Sequence, residues 1–186
     1  MEQRELVERA GRGDHDAFAV LAGASVARLE AVARLILRDR ELAQDAIQEV
    51  LVKAWRDLPG LRDPERFDAW LYRLTTNACL DAVRRRRRRP IEVDLKAIDP
   101  PTATDMAAGV ANRDLLERGF RHLGVEQRAL LVLHYYVGLP VPGVAEALGI
   151  PLGTAQSRLH RALSAMRAAL DADARTPSQL REGQLA

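Results

Sequence analysis

Thr154, Gln156, Ser157, Arg158, His160 and Arg161 crowd hydroxyl, amide, imidazole and guanidinium donors into eight residues near the C-terminus. That set suits duplex DNA, since arginine pairs bidentately with guanine edges or phosphate, and amide or hydroxyl groups bond bases and backbone. No acid stands between Ala147 and Leu170, so nothing on that face repels a polyanion. A second basic group is denser: Arg84–Arg89 are six consecutive arginines, ended by Pro90. Contact with a nucleic-acid backbone explains six like charges better than a localisation-like patch. A solvated, dipole-matched helix end is the bland alternative.

Other chemistries find no support. There is no Ser/His/Asp set, carboxylate pair or phosphate-binding glycine loop. His122 and His134 stand alone among apolar neighbours with no third metal ligand spaced to join them, and Cys79 is the only cysteine. No metal, no cofactor and no enzymatic activity are expected. No run approaches a membrane span and the N-terminus lacks an apolar leader core, so the cytoplasm is the expected address.

The elements that hold these groups read as helices throughout. Hydrophobic residues make up 47% and aromatics only 4%, so cores must come from Leu, Val, Ile and Ala, a composition that favours an all-α fold. Ala155, Leu159, Ala162, Met166 and Leu170 mark the buried stripe of the donor-bearing helix. Val144, Ala145 and Leu148 form one face of a short helix before it, and Gly149-Ile150-Pro151 separates the two. The pair predicts a helix-turn-helix, although any αα-hairpin shares the pattern.

Apolar positions at helical spacing fill roughly residues 3–37, broken at Gly11-Arg12-Gly13, with Asp14 as the N-cap of the second segment. In DAIQEVLVKAWR, residues 45–56, Ile47, Val50, Leu51, Ala54 and Trp55 form an apolar stripe. Asp45, Gln48, Glu49, Val52, Lys53 and Arg56 occupy the other side, a solvated or partner-docking face that pattern alone does not separate. Asp63-Pro64-Glu65 opens a further helix. Phe67, Trp70, Leu71, Leu74 and Ala78 form its buried side, and Arg73, Asn77, Asp81, Arg84 and Arg88 a polar stripe. Arg62–Arg89 carries nine arginines against four acids; Pro90–Val110 carries three prolines, four acids and one lysine. That stretch reads as an extended tether.

The motifs DAIQEVLVKAW, FDAWLYRLTTNACLDAVRRRRRR and GIPLGTAQSRLHRA, in this order and spacing, resemble the compact extracytoplasmic-function group of bacterial RNA polymerase sigma factors in the sigma-70 family. The likeness runs from about Asp14 to Leu170. It implies two small helical domains on a flexible linker: 1–89, which docks on core polymerase and reads the −10 element, and 111–172, whose helix-turn-helix reads the −35 element. An acidic linker over 90–110 and a disordered or small regulatory tail over 173–186 complete the expectation. The resemblance assigns Asp45, Gln48, Glu49 and Lys53 to the β′ clamp helices, with the β flap as a further contact. It assigns Arg62, Arg73, Asn77, Arg84, Arg85 and Arg88 to −10 DNA, where the loop over 58–65 captures a flipped base and Asn77 lies close to it. Phe67 and Trp70 match as core. It implies that Thr154, Gln156, Ser157, Arg158, His160 and Arg161 face the −35 major groove, that the linker's Asp94, Asp99 and Asp105 imitate RNA in the polymerase channel, and that an anti-sigma factor holds the chain inactive.

Two departures stand out. Gln156 replaces a residue that is often basic in the family. Pro140-Val141-Pro142-Gly143 replaces the usual capped, acidic start of the first hairpin helix, which predicts fraying there at a cost of about 0.5–1 kcal/mol for Gly143. A stand-alone helix-turn-helix regulator is the competing function, but it has no use for the surfaces at 45–56 and 77–89.

Overall fold

The computed structural model describes residues 2–88 and 117–182, with side chains to Ala172. Arg89, the acidic stretch 90–110 with Asp94, Asp99 and Asp105, and Leu115 and Leu116 lie outside the described residues. Within them every regular element is helical.

Three aspartates start the N-terminal helices as their side-chain chemistry requires. Helix α1 spans Gln3–Gly11 and α2 spans His15–Leu37, where the Asp14 carboxylate accepts the Ala17 N–H at 3.0 Å. Arg9 grips the same carboxylate at 2.7 Å. The Ala17 N–H first, and then Arg9, hold the Asp14 carboxyl below the usual range. Helix α3 spans Arg40–Asp57, capped by Asp39 on Leu42 N–H. Asp63 caps a short 3-10 turn, Pro64–Arg66, that runs straight into α4, Phe67–Arg88. Two buried threonines of α4, Thr75 and Thr76, are satisfied by donating to the carbonyls one turn back, Leu71 O and Tyr72 O.

The C-terminal half is helical at 117–121, then forms α5, Val125–Leu131, which continues as a π-helical turn, Val132–Tyr136. His134 lies in that turn with Nδ1 2.8 Å from Leu139 O, a structural hydrogen bond. Gly119 lets the helix at 117–121 approach α7 closely: a Cβ there would sit 3.0 Å from Met166 Cγ and Cε. Helix α6 spans Val141–Leu148, and α7 spans Leu152–Glu182. Gly149, at φ 63°, ends α6 in a Schellman closure, with Ile150 N–H donating to Ala145 O and Gly149 N–H to Glu146 O.

Three expectations need correction. The start of α6 is closed, not frayed: Val144 N–H donates to Pro140 O at 3.0 Å, and Pro142 falls in the first turn, where its missing N–H costs nothing. A Cβ at Gly143 would meet Pro140 Cδ at 3.6 Å and Leu139 Cβ at 3.7 Å, ordinary contact distances. Gly143→Ala should therefore stabilise the chain by about 0.5–1 kcal/mol, read as a raised midpoint in urea unfolding with unchanged slope. Second, α7 runs on to Glu182, into the stretch expected to be disordered; the alanines at 168, 169, 172 and 174 favour its continuation. Third, Trp70 is only half-buried, unlike Phe67.

Candidate nucleic-acid interface

The donor set of α7 emerges as the stripe pattern requires. Ala155, Leu159, Ala162 and Met166 are buried, and Gln156, Ser157, His160 and Arg161 are exposed on the other side. Thr154 and Arg158 are intermediate at its margins. Local bonds arrange the face: Ser157 Oγ donates to Thr154 O, and Arg161 Nε donates to Ser157 O at 3.3 Å. The Arg158 guanidinium lies 3.5 Å from Glu126 at the start of α5. The Glu126 contact is long and exposed, so it orients Arg158 without locking it.

On α4 the polar stripe divides in two. Arg73 and Asn77 line an open cleft of about 590 Å³, with Lys53 and Trp70 beside them. Arg62 and Arg73 line a smaller adjoining cleft of about 210 Å³, again with Trp70. Arg62, Arg73 and Asn77 are thus brought together, and Trp70 joins them on the rim, a position its place on the apolar stripe concealed. Arg84, Arg85 and Arg88 lie beyond, exposed on the last turns of α4. Arg84 meets Asp81 at 3.1 Å, Arg86 meets Asp39 at 3.0 Å, and Arg85 grips both oxygens of Glu49 at 2.9 and 3.0 Å. Exposed pairs of this kind contribute about 0–1 kcal/mol each, so a phosphate competes for these arginines with little hindrance.

Helix α3 presents Asp45, Gln48, Glu49 and Lys53 to solvent, with Val52 70% exposed among them. An apolar side chain ringed by polar ones is what a docking face needs at its centre. The Glu49–Arg85 pair makes this face adjoin the arginine cluster, although 36 residues separate the two in sequence. Lys53 turns away from that pair into the cleft of Arg73 and Asn77.

Cys79 is fully buried, and burial pushes its thiol up to about 12. The thiolate is the reactive form. The native chain should therefore resist maleimide at neutral pH and react fully once unfolded, a contrast that mass spectrometry reads directly.

The structure also reveals residues that no motif pointed to. Arg128, on α5, donates to Ile36 O at the end of α2 at 2.6 Å, and also to Leu123 O at 2.6 Å. Burial, then the nearby charge of Arg38, lowers its pKa to about 10, which leaves it charged at neutral pH. The C-cap of α2, Arg38, adopts a left-handed backbone at φ 56° and donates to Glu117 O. Burial lowers its pKa too, followed by the charge of Arg121. Arg66, ahead of α4, pairs with Glu146 of α6. These contacts join the two halves, and α6 packs directly on α4.

Residues 21–89 match the family model for Sigma-70 region 2, and residues 113–166 that for Sigma-70 region 4. The ECF RNA polymerase sigma factor SigM of Mycobacterium tuberculosis is 34% identical over 158 residues, covering 85% of this chain and 79% of that protein. CnrH, solved in complex with the cytosolic domain of CnrY, superposes with a TM-score of 0.67 at 27% identity, over 92% of this chain and 98% of that one. The sigma factor RpoE of Bartonella quintana, solved with the anti-sigma factor NepR, shares the fold at a TM-score of 0.66 and 22% identity, over 84% and 98% of the two chains.

Proposed function

This chain belongs to the extracytoplasmic-function RNA polymerase sigma factors, and from that premise we propose which of its surfaces carries each part of the task. The family binds core polymerase and directs initiation at chosen promoters; it is not an enzyme family, and bond formation belongs to the polymerase. The work divides between a unit over 1–89 and a unit over 111–172.

In the first unit, Asp45, Gln48, Glu49 and Lys53 meet the β′ clamp helices. Arg62, Arg73 and Asn77 receive the −10 element in the cleft along α4, where a base leaving the duplex finds an amide to bond and Trp70 to stack against. Arg84, Arg85 and Arg88 hold the neighbouring phosphates. In the second unit, Thr154, Gln156, Ser157, Arg158, His160 and Arg161 enter the major groove of the −35 element, and the module meets the β flap. Arg158 and Arg161 supply the strongest contacts, and Gln156 reads a base or backbone group where a cation is more usual. An anti-sigma factor is the expected restraint on this chain. No helix of the described residues is long and apolar enough to cross a membrane; we place the chain in the cytoplasm with the polymerase.

The observation that supports this division is the presence of two separate donor sets. One runs from Arg62 through the clefts of Arg73 and Asn77 to the last turns of α4, beside an exposed face on α3; the other occupies the acid-free side of α7. A stand-alone regulator leaves the α3 face unexplained. The test is transcription from a matched promoter by purified core polymerase, with and without this chain. A defined start that requires the chain is expected. Specific duplex binding by the chain alone, with no effect on initiation, would refute the reading.

A further inference from the structure

We propose that Leu152, at the head of α7, is a specificity-determining residue whose side chain packs on the C5 methyl group of a thymine in the −35 element. The inference rests on the sigma-factor reading above and narrows what the second donor set recognises.

Folding does not account for leucine at this position. Leu152 is 45% exposed, while Leu148 before the turn and Leu159 after it join the core. It adds nothing to the buried stripe, which begins at Ala155. Helix physics favours a different residue there: an exposed first-turn position suits an acid facing the positive pole of the dipole, yet α7 has no acid in its first turn. The turn is closed by the backbone, since Ala155 N–H donates to Pro151 O at 3.0 Å. Leu152 is therefore held on a formed helix with its apolar end in water.

Scattered exposed leucines are ordinary; this one is singled out by its neighbours. Leu152, Gln156 and His160 fall at i, i+4 and i+8 and form one exposed line on the donor-bearing face. Leu152 and Gln156 are about 6 Å apart along the helix axis, against about 3.4 Å between base pairs. A helix that brings Gln156 to one base edge thus brings Leu152 to a pair one or two steps away. Gly153 is the second observation. A Cβ there would meet nothing within 4 Å, so packing inside the chain does not require glycine. Glycine weakens a helix relative to alanine, but it lets another molecule approach the backbone closely. Here it leaves room beside Leu152 for the wall of the groove. Thymine is the base that fits, because its methyl group is the apolar feature of the major-groove edge.

Deoxyuridine tests this, since it removes the methyl group and keeps every hydrogen-bonding group of thymine. Promoters carrying deoxyuridine at single −35 thymines, on either strand, are bound by the full chain with core polymerase. At one position the replacement should weaken the parent complex about fourfold, the worth of burying one such carbon. With Leu152→Ala the same replacement should have no further effect, and Leu152→Met should restore the sensitivity. Unfolding midpoints should match, because Leu152 is exposed. A parent complex indifferent to every −35 deoxyuridine overturns the inference, as does a Leu152→Ala variant that keeps the parent's sensitivity. Both of those outcomes leave the sigma-factor reading standing. A parent chain that directs no initiation overturns that reading, and this inference with it.

Discussion

Replacing Arg84, Arg85 and Arg88 together by glutamine is expected to weaken the polymerase-bound chain's hold on promoter DNA about a hundredfold. Each arginine bonded to a phosphate contributes about 1 kcal/mol at an exposed site, the central value for a net hydrogen bond. Three such losses amount to about two factors of ten. A more specific signature lies in salt. Each neutralised phosphate contributes about 0.9 to the slope of log affinity against log salt, so the triple variant should flatten the slope by roughly 2 to 3. The fold should survive, since all three side chains are exposed and the substitution removes only the surface pairs with Glu49 and Asp81. Unfolding midpoints should match, and filter binding over a salt series reads the rest. An unchanged slope would mean that the arginines only solubilise the end of α4.

The second large effect belongs to α7. Arg158→Ala should lower discrimination between a matched −35 element and a substituted one by about 1–3 kcal/mol, the worth of a bidentate arginine–guanine contact. Arg161→Ala, if its contact is to phosphate, should weaken binding to all sequences alike and reduce the salt slope by about 1. Competition between promoters differing only at −35 separates the two outcomes. Neither substitution touches the buried stripe, since Arg161 is exposed and Arg158 bonds Glu126 at the surface. A change in preference at −10 bases in either variant would contradict the assignment.

The parts of this design written in local sequence were readable there. Asp14 and Asp63 announced their helices because a short acceptor before a helical run has few other uses. The stripe Ala155, Leu159, Ala162 and Met166 fixed which side of α7 faces out, and hence where its donors point. Periodicity states that a face is buried and not what buries it. Hence Trp70, on an apolar stripe, proved to be a cleft wall, and nothing indicated that α6 would cover α4. Nothing in VEQRALL distinguishes Arg128 from a surface cation, because its carbonyl partner lies 92 residues earlier. The same distance in sequence concealed the Glu49–Arg85 pair, which sets the face expected to meet polymerase against the cluster expected to meet DNA. The first turn of α6 misled for the opposite reason: residue propensities argued for fraying, and tertiary packing with a proline at a position that tolerates it closed the turn.

Central to all of this is that one chain grips two separated stretches of a single promoter, each with its own helix. Hydroxyl-radical footprinting of the promoter complex, formed with core polymerase, tests that claim most directly. With Arg158→Ala and Arg161→Ala together, protection near −35 should fade while protection near −10 persists. With Arg84, Arg85 and Arg88 replaced by glutamine, the loss should fall near −10. Footprints that fade together along their whole length in both variants, or that change in neither, would contradict the account.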